Sequence, residues 1–449
     1  MKTKHNNGLT ARFVVLLALL SATVPVAQAQ EYIKEIVDLK SIHSIVREYK
    51  TDSRIVYNHT GAKNNGGEFL MVTESGTTTT LLTIGDDAVI LDFEIYRDTV
   101  FFCGFVSTPE QPLLARGYVG CFPLATYPTC TVWAYHANDF NSFSKLDVLI
   151  SKYDGKRHLI MTGRTREDYS SCLVDFPAIS GGPAPVYYIT TGFSYGVFDD
   201  VAVIKDYVVA TVRQTAEHQT GFLYYFAHPA PGLHMFYGII DTVKVDDGIN
   251  SEMLLEQCSN NFFSVVYRKT SSISNTINIA GYEGLLYNMG VVSILVTATT
   301  QEPKDIKFDA DDKDIDVLCW ELGQTDTNSV IYHIDYNGDV TGRCFYEQDV
   351  HSIDYLATDP GNFFASGRGK TGYLWVYKYM PTNEKPKCPE MIYPEYLTRE
   401  GLFALGVLSK EAKVSIINPT IVLQDVASKG IGIRCYYDMK NEDSIINMQ

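Results

Sequence analysis

Short runs of β-branched and aromatic residues, a near absence of long 3.6-residue amphipathic patterns, and a four-strand unit recurring at a near-constant interval predict an all-β fold. The fold class these observations point to is a β-propeller of four-stranded antiparallel blades, seven in number, with six or eight as the alternatives. A pair of β-sandwiches also produces many short strands with regular turns. A sandwich, however, does not demand a constant four-strand phase over six units.

The first unit reads ILDFEI (90–95), TVFFCGF (99–105), GYVGCF (117–122) and CTVWAYH (130–136). The second reads LDVLIS (146–151), HLIMTGR (158–164), SSCLVDF (170–176) and PVYYITT (185–191). The third reads DVAVIKD (200–206), YVVATVR (207–213), GFLYYFAH (221–228) and HMFYGII (234–240). The fourth reads EMLLEQ (252–257), FFSVVYR (262–268), NTINIAGY (275–282) and GVVSILVTA (290–298). The fifth reads KDIKFDA (304–310), IDVLCWE (315–321), SVIYHIDY (329–336) and VTGRCFYE (340–347). The sixth reads HSIDYL (351–356), NFFASGR (362–368) and TGYLWVYKY (371–379), with a weaker fourth strand. Anchors at Ile95, Ile150, Val203, Leu255, Phe308 and Tyr355 stand 55, 53, 52, 53 and 47 residues apart. One blade cannot bury both faces alone, so blades stack in a ring and cover each other. Strands at 54–60, 68–74 and 78–84, together with apolar runs between 401 and 437, are expected to close the circle as a composite seventh blade. The domain organisation is therefore one propeller over residues 30–449, with N- and C-terminal strands closing the ring.

Residues 1–29 carry the pattern of a secretory signal peptide. Lys2, Lys4 and Arg12 form a positive region, Phe13 to Leu20 a short apolar core, and Ala27-Gln28-Ala29 a small-x-small cleavage site. The expected location is secreted or periplasmic. No other stretch approaches the ~20 apolar residues of a membrane span. Of 449 residues, 37 are Lys or Arg and 53 Asp or Glu, a net charge of -16. Removing the leader takes three basic side chains and leaves -19. That acid excess argues against nucleic-acid binding, which rests on clustered Lys and Arg.

The segments DFEIYRDTVFFCG (92–104) and GYVGCF (117–122) resemble those of secreted bacterial propeller-like repeat proteins, mostly without assigned function. The resemblance covers roughly residues 85–380 and implies a fold; no activity carries over from it.

Catalytic and metal signatures are weak. Gly192-Phe193-Ser194-Tyr195-Gly196 matches G-x-S-x-G, but a strand rather than a helix follows it, so it reads as a Gly-rich turn. Asp335-Tyr336-Asn337-Gly338-Asp339 spaces oxygen ligands like the start of a calcium loop, yet Asn337-Gly338 is a hairpin-turn pair between two strands. Asp309, Asp311, Asp312 and Asp314 read as a solvated acidic turn. His218 beside Glu217 is compatible with acid/base work and no more. His228 and His234 stand six apart across a turn and show no metal spacing. The nine cysteines form no CxxC pair. Cys103 and Cys121 fall on neighbouring strands, where they either bridge or pack as core residues. No catalytic residue, metal or cofactor is assigned.

One polar pattern emerges from aligning the repeats. The second strand ends in Arg164, Arg213, Arg268 and Arg368 in four of the six units. Equivalent repeat positions share one face of a ring, so these guanidiniums are candidates for binding an anionic ligand. The alternative is that each pairs with an acid of the next blade. The 30 Tyr and 22 Phe are expected chiefly in the core. The expected role is an exported, non-enzymatic binding or scaffold protein recognising a glycan, peptide or protein through face loops. The alternatives are a propeller enzyme of glycosidase or lyase type with a loop-assembled site, and a structural component of a cell-surface assembly.

Overall fold

The computed structural model describes residues 33–379, apart from short stretches, together with Lys413–Ile417, Thr420–Gln424 and Ile433–Cys435. Strand β1 (Ile33–Lys40) precedes the first complete blade. Blade 1 comprises β2 (His43–Lys50), β3 (Ser53–His59), β4 (Gly67–Thr73) and β5 (Thr78–Ile84). Blade 2 comprises β6 (Ala88–Tyr96), β7 (Thr99–Thr108), β8 (Gln111–Pro123) and β9 (Trp133–Ala137). Blade 3 comprises β10 (Phe140–Ile150), β11 (Arg157–Thr165), β12 (Ser171–Pro177) and β13 (Tyr187–Thr190). Blade 4 comprises β14 (Gly196–Ile204), β15 (Tyr207–Gln214), β16 (Gly221–Ala227) and β17 (Ile239–Asp246). Blade 5 comprises β18 (Leu254–Gln257), β19 (Phe262–Thr270), β20 (Asn275–Glu283) and β21 (Tyr287–Val296). Blade 6 comprises β22 (Thr300–Phe308), β23 (Ile315–Leu322), β24 (Ser329–Ile334) and β25 (Val340–Phe345). Blade 7 comprises β26 (Asp349–Tyr355), β27 (Phe363–Arg368) and β28 (Tyr373–Tyr379), completed by β1 on its outer edge. The first strands of successive blades pack against one another in order, and β26 returns to β2, which closes a seven-bladed ring.

Closure differs from the sequence expectation. The 54–84 strands do not wait for C-terminal partners, because β2 supplies the inner strand of a complete blade. The sixth sequence unit becomes blade 7, and its weak fourth strand is replaced by β1, antiparallel to β28 from Ile33↔Lys378 onwards. Of the C-terminal strands, β29 (Lys413–Ile417) and β30 (Thr420–Gln424) pair only with each other, and β31 (Ile433–Cys435) runs parallel to β21 on the edge of blade 5. The fourth strand of blade 4 also starts later than expected. Met235–Gly238 forms a 3-10 turn, because the Met235 N–H is drawn to Asp175 Oδ2 at 2.9 Å.

The twisted blades stack through apolar side chains. Between blades 1 and 2, Phe69 has the rings of Tyr57, Phe93, Phe102 and Phe122 within 5.2–5.6 Å. Tyr225 and Phe263 meet similarly between blades 4 and 5. Core packing thus accounts for many of the aromatics, as their alternation predicts. Cys103 and Cys121 are both free thiols; Cys103 pairs across the sheet with Val119 and Cys121 with Phe101.

A row of carboxylates ties the blades together at the inner wall. Asp92 takes the N–H of Phe93 on Oδ1 and that of Leu146, one blade on, at Oδ2 (2.9 and 3.0 Å). Asp147 does the same with Val148 and Val203, both at 2.6 Å. Asp200 takes Val201 and Leu255, and Asp305 takes Ile306 and Ile353. Asp354 takes the N–H of Glu48, from blade 7 to blade 1. At the remaining two junctions, Arg47 reaches Asp92 and Glu94, and Lys307 lies 3.7 Å from Glu256. All seven junctions therefore carry a polar clasp. Charge-assisted bonds of this kind are stronger than neutral ones.

Candidate functional site

The inner strands carry a repeated irregularity. Register shifts fall between Ile90/Asp92, Phe143/Lys145, Phe198/Asp200, Pro303/Asp305 and Val350/Ser352. Each is a bulge that inserts one extra residue: Leu91, Ser144, Asp199, Lys304 or His351. Bulges of this sort re-aim side chains and are common beside functional sites.

The four candidate arginines lie at the same end of their blades, where second strands turn into third strands, but their surroundings differ. Arg213 is forked onto Asp199, with Nε to Oδ2 and Nη2 to Oδ1 both at 2.9 Å. Asp199 is buried and also accepts the Met253 N–H of the next blade, so this ion pair clasps blade 4 to blade 5. Arg268 donates from Nε to Asn250 Oδ1 at 2.8 Å, and from Nη2 and Nη1 to the carbonyls of Asn250 and Gln301. Arg368 stands opposite Asp349 in the β26–β27 register. Arg164 is exposed, and its guanidinium makes no hydrogen bond or ion pair among the described residues.

Arg164 and Arg213 line one groove of about 1070 Å³ between blades 3 and 4; Arg268 and Arg368 are not among its lining residues. The groove runs from the loop joining β11 to β12, past the start of β14, to Lys145 and Glu252 at the inner wall. Short hydroxyl side chains supply much of its lining, including Ser142, Ser144, Thr190 and Thr215. Two tyrosines stand at its edge, Tyr169 at 47 % exposure and Tyr195 at 75 %.

Both tyrosines have left-handed backbones, with φ of 57° and 60°. That conformation costs an L-residue with a Cβ roughly 1–2 kcal/mol, so it persists only where neighbours enforce it. At Tyr195 the enforcement comes from Thr215, whose N–H and Oγ1 both donate to the Tyr195 carbonyl (3.0 and 2.8 Å). Gly196 follows because a Cβ there would sit 2.1 Å from Thr191 Oγ1. At Tyr169 the loop is tied by Asp168, which accepts from Thr165 Oγ1 and from the Ser170 N–H and Oγ. These bonds hold the Asp168 carboxyl at about 2.

Lys145 occupies the place where blades 2, 4 and 6 have Asp92, Asp200 and Asp305. Burial works against its charge. The surrounding carboxylates of Asp200, Asp92, Asp305 and Glu252 outweigh that effect and hold the ammonium above its ordinary value. No carboxylate lies within 4.0 Å of its Nζ among the described residues. Burial also raises acids on the inner wall. Burial pushes Glu94 up to about 8, although Arg47 and Lys307 pull the other way, and it pushes Glu256 to about 7.

Ser194, Glu217, His218, the acidic turn 309–314 and residues 335–339 lie outside the described residues, as does the leader. His228 Nε2 lies 3.2 Å from the Ile204 carbonyl, and His234 stacks on Tyr187 at 4.1 Å. Among the described residues no group of three His, Cys, Asp or Glu side chains is arranged to hold a metal, and no helix is long and apolar enough to cross a membrane. Sequence reasoning missed Lys145, Tyr169 and Tyr195. A signal for Lys145 was present, since it breaks a line of aspartates at one repeat position. The two tyrosines had none, because a left-handed backbone leaves no trace in residue type.

No family model matches the chain, and no curated protein matches it. Solved structures with a similar path include the Dos1 propeller (TM-score 0.44, 11% identity, 73% of this chain and 74% of that one). Two peptidases also align. The Pyrococcus horikoshii acylaminoacyl peptidase does so at TM-score 0.43 and 10% identity, over 76% of this chain and 53% of that one. A prolyl endopeptidase does so at 0.40 and 13%, over 73% and 47%. The chain thus spans about half the length of either peptidase. At these levels the likenesses carry no argument about activity.

Proposed function

We propose that the chain is an exported binding protein that takes a polar ligand in the groove between blades 3 and 4. The carrying observation is Arg164. Of the three arginines whose partners are described, it alone is left to the groove while Arg213 and Arg268 are consumed by the frame. At about 1070 Å³ the groove is slightly larger than the usual ligand cleft of ~300–1,000 Å³. Export is supported by the basic-apolar-small pattern of residues 1–29. The test is to fill the groove. Ser142 lines it, and its side chain makes no hydrogen bond among the described residues. Wild-type protein is expected to retain ligands from a mixed array of glycans and peptides that Ser142→Trp does not. A Ser142→Trp protein that folds and keeps every ligand would overturn the reading.

A propeller enzyme of glycosidase or lyase type is a second reading, favoured by one observation. Burial pushes Glu94 and Glu256 on the inner wall up to about 8 and 7, a range that suits general acids. That reading expects a captured ligand to be cleaved by the wild type and not by a Glu94→Gln, Glu256→Gln protein. Intact ligand after incubation with the wild type removes it.

A further inference from the structure

We infer that the groove between blades 3 and 4 selects an acidic carbohydrate, an oligosaccharide carrying carboxylate or sulfate groups; this rests on the reading of that groove as the binding site. Three features of the lining converge on this class. First, much of the wall is short hydroxyls rather than apolar pockets. Ser142 and Thr190 each donate and accept, and Thr215 Oγ1, whose proton goes to the Tyr195 carbonyl, still accepts, which matches a ligand made of hydroxyl groups. A peptide held by side-chain pockets needs apolar holes, and Val197 and Leu91 are the main apolar side chains offered besides the buried Phe198.

Second, Tyr169 and Tyr195 present large exposed rings from backbones held left-handed by neighbouring hydrogen bonds. Of the five non-glycine residues with positive φ among the described residues, these are the two aromatic ones, and both line the groove. An exposed aromatic ring on a held backbone is a platform for the C–H face of a pyranose.

Third, the cations are arranged for a negative group. Arg164 offers a planar fork that suits carboxylate or sulfate. Lys145, held charged by the acids around it, lies further in. Of the three acids in the lining, Asp199 is paired with Arg213, Asp168 accepts from Thr165 and Ser170, and Glu252 lies at the inner end, where it acts on Lys145 and leaves the outer part of the groove to Arg164.

Calorimetric titration of the full chain with oligomers of polygalacturonate, chondroitin sulfate and dextran tests the inference. Binding to at least one anionic oligomer, with affinity at least tenfold above that for dextran and falling with added salt, is expected. Arg164→Gln and Tyr195→Asn are each expected to weaken it at least tenfold with an unchanged melting temperature. Asn keeps the left-handed backbone while removing the ring, and Arg164→Lys, which keeps charge but not the fork, serves if the Gln variant is unstable. Equal affinity for dextran, or an anionic ligand held equally well without Arg164, overturns the inference. A neutral glycan or a peptide lost in Ser142→Trp, with neither anionic oligomer bound, overturns it while leaving the groove reading standing. No ligand sensitive to Ser142→Trp overturns both.

Discussion

Blades 3 and 4 place an arginine at the same repeat position, and one residue decides its fate. Arg164 stands opposite Ser142 and Arg213 opposite Val197. Two residues further along each inner strand sits the extra residue of the bulge, which is Ser144 in blade 3 and Asp199 in blade 4. Asp199 captures Arg213 in a forked ion pair, whereas Ser144 meets Thr162 Oγ1, at 2.9 Å, and no arginine among the described residues. A structural clasp and an open cation thus arise from one framework by exchanging a carboxylate for a hydroxyl. The inner wall repeats the lesson. Arg47 and Lys307 have acids within 4 Å, while Lys145 stands in the acid position and lacks one among the described residues.

The largest effect should come from the clasps themselves. Asp147→Ala orphans the N–H groups of Val148 and Val203 on two blades, at roughly 1–3 kcal/mol for each unsatisfied buried group. Chemical denaturation should show a loss of several kcal/mol, and a loss under 1 kcal/mol would mean the clasp is not structural. Next comes the contrast between the arginines. Arg213→Ala leaves the Asp199 carboxylate buried and unpaired and should cost about 2–4 kcal/mol. Arg164→Ala should stay within about 0.5 kcal/mol, the usual range for exposed positions. Equal losses in the two melts would erase the distinction.

The inner wall predicts a pH profile of moderate size. Glu94, Glu256, Asp147 and Asp200 are raised to about 8, 7, 6 and 6 by burial. Each contributes stability that is complete below the ordinary carboxylate range and is lost as pH rises through its folded value. His43 and His351 are pushed down to about 4 and 3 by burial, so their contribution is lost as pH falls below the ordinary imidazole value toward those values. Four carboxyls against two imidazoles put the maximum on the acid side, so the melting temperature should peak at roughly pH 4 and fall as pH rises toward 8. Glu94→Gln should flatten the alkaline limb between pH 6 and 8; an unchanged alkaline slope would show that Glu94 is ionised throughout.

The fold was legible because a repeat makes the same signal six times over, and strands such as ILDFEI at 90–95 and YVVATVR at 207–213 fall within β6 (Ala88–Tyr96) and β15 (Tyr207–Gln214). Closure was misread, because β1 pairs with a strand more than three hundred residues away and leaves no local mark. The clasping aspartates recur before an apolar residue, in LDF, LDV, DDV, KDI and IDY, yet their partners lie a blade further on; Leu146 is 54 residues beyond Asp92. The arginine row was visible and its division was not, since the deciding residue sits on the neighbouring strand at a bulge that periodicity smooths over.

The smallest structural change gives the sharpest test. Ser144→Asp should give blade 3 the fork that Asp199 gives blade 4, engage Arg164 and close the groove to anions. Wild type and Ser144→Asp should be compared on the same mixed glycan and peptide array, with melting temperatures measured in parallel. The account predicts that the groove's ligands are lost while the melting temperature is kept or rises. A stable Ser144→Asp protein that retains them all would contradict it.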